Sequence, residues 1–273
     1  MFERSPLIAL VAGAALVTAV VAAVVPAQAA AAPHPPTEVS GTAAATTAVP
    51  ITARYERWAT ISKTKKGYYY DEGQQDSHLV LTRVKGGVRY ADTHTDVLRS
   101  KPDACHKKRA RVGIVVVCRV PGTVNARHPM TLRIFTRLGG DYIDSSKLSS
   151  AFELYMLADA GFDIVRAGAG DDFINGAKGG DRMRGGAGND WIRTGEGDDS
   201  ISGGAGRDQL VGVDGRDTIH GGNGNDRVGG GPGNDRLFAG EGTDFVLCGT
   251  GRDTAHAQRA DRIMQDCESV HYG

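Results

Sequence analysis

Aromatic residues make up only 6% of the 273-residue chain, and its four cysteines contain no CxxC pair. A zinc ribbon or a thioredoxin-like redox site is therefore excluded. No HExxH occurs, which removes the zinc-protease constellation, and no GxSxG, which removes the strand-to-helix nucleophile elbow. His78, His94, His106 and His128 are scattered, as solvated or structural histidines are. Past Val25 no stretch is apolar enough to span a bilayer. Formal charge sums to zero.

That zero hides a division. Residues 51–157 hold 19 Lys/Arg against 10 Asp/Glu, whereas residues 158–256 hold 10 against 17. Two regions of opposite charge and unequal glycine content point to two structural units. Ahead of them, Arg4, the apolar stretch Leu7–Val25 and the small-residue pattern Ala27-Gln28-Ala29 read as a secretory signal over residues 1–29. An uncleaved anchor is the competing reading. Residues 30–50, rich in Ala, Pro and Thr, bury too little to order themselves and form a linker. The expected location is outside the cell, with no membrane contact after cleavage and no nucleic acid as partner.

Export makes disulfides the expected state of the cysteines. Three pairings are open. Proximity favours Cys105 with Cys118 in the first unit and Cys248 with Cys267 at the end of the second; free buried thiols are the alternative.

A fixed internal period dominates what is present. From Ala158 to His256 the chain falls into eleven nonapeptides without insertion. Position six is always Asp: Asp163, Asp172, Asp181, Asp190, Asp199, Asp208, Asp217, Asp226, Asp235, Asp244 and Asp253. Position four is always Gly, and position eight is aliphatic or Met except for Ala255. Alternate glycines permit positive φ and a tight turn, while the following residues make a short strand with its middle side chain inward. Two nonapeptides then close one coil, and repeats n and n+2 stack on the same edge. Aspartates about 4.8 Å apart repel by about 3.5 kcal/mol per pair at an effective dielectric of 20. A thin core and like-charge ladders call for a hard cation with oxygen ligands, which calcium fits better than magnesium.

This pattern resembles the RTX, or haemolysin-type, nonapeptide GGxGxDxUx. The resemblance implies an all-β fold, a parallel β-roll, preceded here by a small β-rich domain over 51–157 and followed by a cap over 257–273. It also implies calcium held between stacked turns by the eleven aspartates and by turn carbonyls. On the even-numbered turns these belong to Gly168, Gly170, Gly186, Gly188, Gly204, Gly206, Gly222, Gly224, Gly240 and Gly242. Nine ions at most fit the two edges. The segment AQRADRIMQDCESV resembles the cysteine-containing end cap of exported actinobacterial members. Ala177 and Val213 replace turn glycines, and Lys178, Arg207, Arg216 and Arg252 bring positive charge to turns, so the even edge is expected to bind calcium better. Leu138–Ile143 forms a degenerate copy out of phase.

In 51–157, His78–Val84 and Val88–Tyr90 around Gly86-Gly87 predict a hairpin. Val112–Val120, Met130–Leu138 and Ser150–Leu157 predict further strands. Phe173, Trp191 and Phe245 should point outward from one sheet, covered by another part of the chain or open as a binding patch. The functional expectation is a secreted, non-enzymatic calcium-binding protein with a structural or interaction role. Calcium is the expected partner; a cell-wall polymer or another extracellular protein is a candidate beside it, and the basic run His106–Arg111, which could hold such a polyanion, reads first as a solvated hairpin loop between Cys105 and Cys118. An enzyme with an unrecognised site in 51–157, and an adhesin or toxin, are the alternatives.

Overall fold

The computed structural model describes residues 58–273 apart from 73–75, 96 and 111–113. The expected signal and linker lie outside the described residues, which fall in one compact unit. All of their regular structure is strand, 23 in number, in one sheet of eleven strands and one of twelve. No helix among them is long and apolar enough to cross a membrane.

Within the repeats every strand pairs in parallel with the strand 18 residues away, Phe173 opposite Trp191 on one sheet and Arg182 opposite Ser200 on the other. Two nonapeptides therefore make one coil. The strands are six or seven residues long through most of the array, as in Trp191–Glu196, and not the three expected. Alternation runs on from positions seven to nine into position one of the next repeat, so two columns face inward. Position eight supplies the aliphatic column, Val165 through Val246 and Ala255, all at most 2% exposed. Position one supplies a second column, of small residues, including buried Ala167, Thr194, Ala239 and Cys248.

Both sheets continue through the preceding region. Met130–Phe135 pairs in parallel with Phe152–Leu157, and Tyr142–Asp144 with Ile164–Arg166, both at an offset of 22 residues. The predicted hairpin is present as His78–Val84 and Gly87–Asp92, turning through Gly86 at φ 75°. Antiparallel strands Ile114–Arg119 and Cys105–Lys108 extend that sheet, with Cys105 bonded to Cys118. Cys248 is bonded to Cys267 at the far end.

The outward aromatics form a ladder. Tyr155, Phe173 and Trp191 sit in register with ring centroids 4.7 and 5.1 Å apart, continued by Phe135 and Tyr69. Of the ladder rings only the last, Trp191, is substantially open, at 41%. Phe245 stands apart from the ladder, beside the Arg262 guanidinium. The other sheet carries a matching stack of His220, Phe238, His256 and His271.

Candidate metal centre

From the third repeat on, each turn begins where strand alternation meets a positive φ at position two. Gly186, Gly204, Gly222 and Gly240 take values of 109–120° there, and Ala177 and Val213 are held at 75° and 101°. The coils are stacked closely enough that a Cβ at Gly188 would lie 2.3 Å from the Gly170 carbonyl oxygen. Glycine at position four is thus required by the stacking as well as by the turn.

The position-six aspartates form two continuous ladders. On one edge the Asp172 N–H donates to Asp190 Oδ1 at 2.9 Å, Asp190 to Asp208 at 2.8 Å, and Asp208 to Asp226 at 2.9 Å. On the other edge Asp181 donates to Asp199 at 2.7 Å, Asp199 to Asp217 at 2.9 Å, and Asp217 to Asp235 at 2.8 Å. All eleven residues are at most 3% exposed. Ten of them leave Oδ2 buried with no hydrogen-bond partner; in Asp172 that oxygen accepts from the Gly168 N–H.

Burial raises these acids above the ordinary value, opposed by the backbone N–H bonds and reinforced by neighbouring carboxylates. Asp172 is pushed up to about 8, Asp190 and Asp217 to about 7, and Asp226 and Asp235 to about 6. A desolvated carboxylate with one unsatisfied oxygen either holds a proton or meets a cation.

The open oxygen faces a cradle. At Gly176, Gly185, Gly203, Gly212, Gly221 and Gly230, a Cβ would lie 2.0–2.7 Å from Oδ2 of that repeat's own aspartate. It would also lie 2.0–2.9 Å from the carbonyl oxygen at position one of the repeat 18 residues on. Glycine keeps this place open between a carboxylate and a carbonyl. Among the described residues no three His, Cys, Asp or Glu side chains converge. A cation here would be held by one or two carboxylates and several backbone carbonyls, a hard oxygen set suited to calcium rather than to zinc or copper.

Three cradles lie on each edge, so the structure shows no even-edge advantage. The basic side chains expected to disturb the odd edge point outward: Lys178 pairs with Glu196 at 2.9 Å and Arg216 with Asp198 at 2.8 Å, all exposed. Arg207 and Arg252 are exposed as well. Of the glycines expected to contribute carbonyls, Gly186, Gly188, Gly204, Gly206, Gly222, Gly224, Gly240 and Gly242 share one backbone geometry. Gly168 and Gly170 do not: their turn abuts the irregular segment 145–151 and closes on Asp172 itself.

Other residues join the ladders unannounced by the period. The Asp141 N–H donates to Asp163 Oδ1 at 2.8 Å, which makes the degenerate copy the first rung of its edge. Its offset of 22 residues hid the phase. Asp261 Oδ1 and Glu268 Oε2 accept from the N–H groups of Asp244 and Asp253, ending each ladder on a carboxylate from the cap. Offsets of 17 and 15 residues were the only signal for them.

The model of the RTX calcium-binding nonapeptide repeat, four copies long, matches residues 155–183, 176–210, 203–237, 211–246 and 220–255. No curated protein and no solved structure matches the chain.

Proposed function

Residues 155–255 are RTX calcium-binding nonapeptide repeats, and from that premise we propose that the chain is an exported structural or interaction protein whose roll is completed by calcium outside the cell. The observation that carries this reading is the pair of buried aspartate ladders with an unpartnered Oδ2 on rung after rung. Inside a cell, where free calcium is scarce, such ladders oppose coil closure. Outside, the ion neutralises them and stitches each turn to the next.

The role is read as non-catalytic. Among the described residues of the preceding region, the deeply buried acid outside the ladders, Asp92, is engaged by the Tyr70 hydroxyl at 2.7 Å, the Thr95 hydroxyl, and the N–H groups of His78 and His94. It is a structural anchor for that hairpin. Partner binding is assigned to the basic edge strand Cys105–Lys108, where the exposed His106, Lys107 and Lys108 offer positive charge suited to an anionic wall polymer.

Calcium titration of the full chain, started in chelator and followed by circular dichroism and calorimetry, tests the proposal. The expected result is a cooperative gain of β structure with midpoint on the order of 10⁻⁴–10⁻³ M. Spectra indifferent to calcium, with no heat of binding, would falsify it.

A further inference from the structure

Position one is glycine in six of the seven repeats that run from Gly176 to Phe238; the exception is Thr194. At each of the six glycines the cradle between Oδ2 and the carbonyl of the next coil is open. At Thr194 a side chain stands in it. Thr194 is fully buried, and its Oγ1 donates to the Gly212 carbonyl oxygen at 3.0 Å. That carbonyl occupies the position which, at each glycine repeat, shares the cradle with the unpartnered carboxylate oxygen. Asp199, the acid of the same turn, is raised by burial, and the neighbouring Thr194 hydroxyl works against that rise.

We infer that the gap between the turns of Asp199 and Asp217 is a calcium-free rung, held by the Thr194 hydroxyl in place of an ion. The inference rests on the calcium reading of the other cradles and specifies where along the roll that reading stops. Its physical basis is volume and donor sign. A threonine methyl and hydroxyl fill the space a glycine leaves, and the hydroxyl turns its proton toward the carbonyl, taking one of that oxygen's two lone pairs and standing where the cation would sit. Elsewhere in the array the ions would form runs: three adjacent rungs on the edge of Asp190, Asp208 and Asp226, but one rung and then two on the edge of Thr194. The vacancy divides one column of ions into separate clusters.

Ion counts by native mass spectrometry on the full chain, at saturating calcium, test this with two variants. Thr194→Gly is expected to bind one calcium ion more than wild type. Thr194→Val, which keeps the bulk and drops the hydroxyl, is expected to match the wild-type count and to melt at lower temperature. A Gly variant with the wild-type count overturns the vacancy. A Val variant that melts with wild type overturns the hydroxyl's part in closing the rung. Wild-type protein that binds no ion at all would instead remove the calcium reading itself, and is read out separately in the same experiment.

Discussion

Residues 58–157 and the repeats that follow share both sheets but solve the problem of buried polar groups in opposite ways. The first region packs Tyr68, Tyr70, Tyr90, Leu132 and Ile134, none more than 2% exposed, between hairpins and parallel strands. Its buried carboxylate Asp92 has donors for both oxygens. The repeats bury one aliphatic residue per nine and set eleven aspartates beneath the surface, ten with an oxygen left over. Burial of a charge without a partner is costly: the first region leaves neutral hydroxyls, those of Ser77, Tyr90 and Thr136, buried without a partner, whereas the repeats leave carboxylate oxygens so. Stability should therefore divide along the chain according to whether calcium is present.

The largest expected effect is on that division. In chelator, amide hydrogen exchange should be fast across 158–256 and remain slow in His78–Val84, Gly87–Asp92 and Met130–Phe135. Calcium should protect the repeats and leave the first region nearly unchanged. Uniform protection with and without calcium would erase the contrast.

Acid should mimic calcium in part. Burial raises the ladder acids above the ordinary 3.8, Asp226 up to about 6 and Asp172 up to about 8. An acid whose folded pKa is raised favours the folded state fully below the unfolded value, and that support is lost as pH rises through the folded one. In chelator, the melting temperature of the repeats should accordingly be higher at pH 5 than at pH 8. Calcium competes with those protons, so its affinity should fall over the same interval as the pH is lowered. A chelator melt indifferent to pH would mean the carboxylates are hydrated rather than buried.

Much of this was legible in the sequence because a nine-residue period with fixed Gly and Asp columns dictates a coil by itself. The fold of the repeats, their parallel pairing and the aspartate ladders all descend from those columns. What was not legible depended on breaks in the period. Asp141, Asp261 and Glu268 join the ladders at offsets other than 18, which only the folded chain reveals. Position one, inward-facing and small, looks in sequence like one more turn residue. Lys178 and Arg216 carry their charge outward, which the sequence does not show, because it gives distance along the chain but not the side of the turn.

A more modest effect compares the two edges. Asp190 and Asp217 each accept one backbone N–H at 2.9 Å, keep Oδ2 open and face a glycine cradle, at Gly185 and Gly212. Asp190→Ala and Asp217→Ala should each lose one ion's worth of carboxylate, and each should leave one N–H without its acceptor, at about 1–3 kcal/mol. Equal calcium counts and equal shifts in denaturant midpoint are expected. A clear excess for Asp190→Ala would restore the asymmetry that the turn sequences first suggested.

The smallest effect isolates backbone strain from metal. Val213 is held at φ 101°, a region that side-chain-bearing residues enter at a cost of about 1–3 kcal/mol. Glycine removes that cost but loses about 0.5–1 kcal/mol in conformational entropy. Val213→Gly should therefore raise stability in saturating calcium by about 1 kcal/mol, with no change in ion count, because position two contributes no side chain to a cradle. The reverse substitution one coil on should be harsher. Gly231 already has φ 117°, and a Cβ there would lie 2.1 Å from the Val213 carbonyl oxygen, so Gly231→Val adds a backbone clash to the strain. Paired denaturant melts decide the matter. If Val213→Gly is destabilising, the valine side chain contributes more to the coil than its backbone conformation costs, and the turn geometry, not the glycine, sets the stability of this edge.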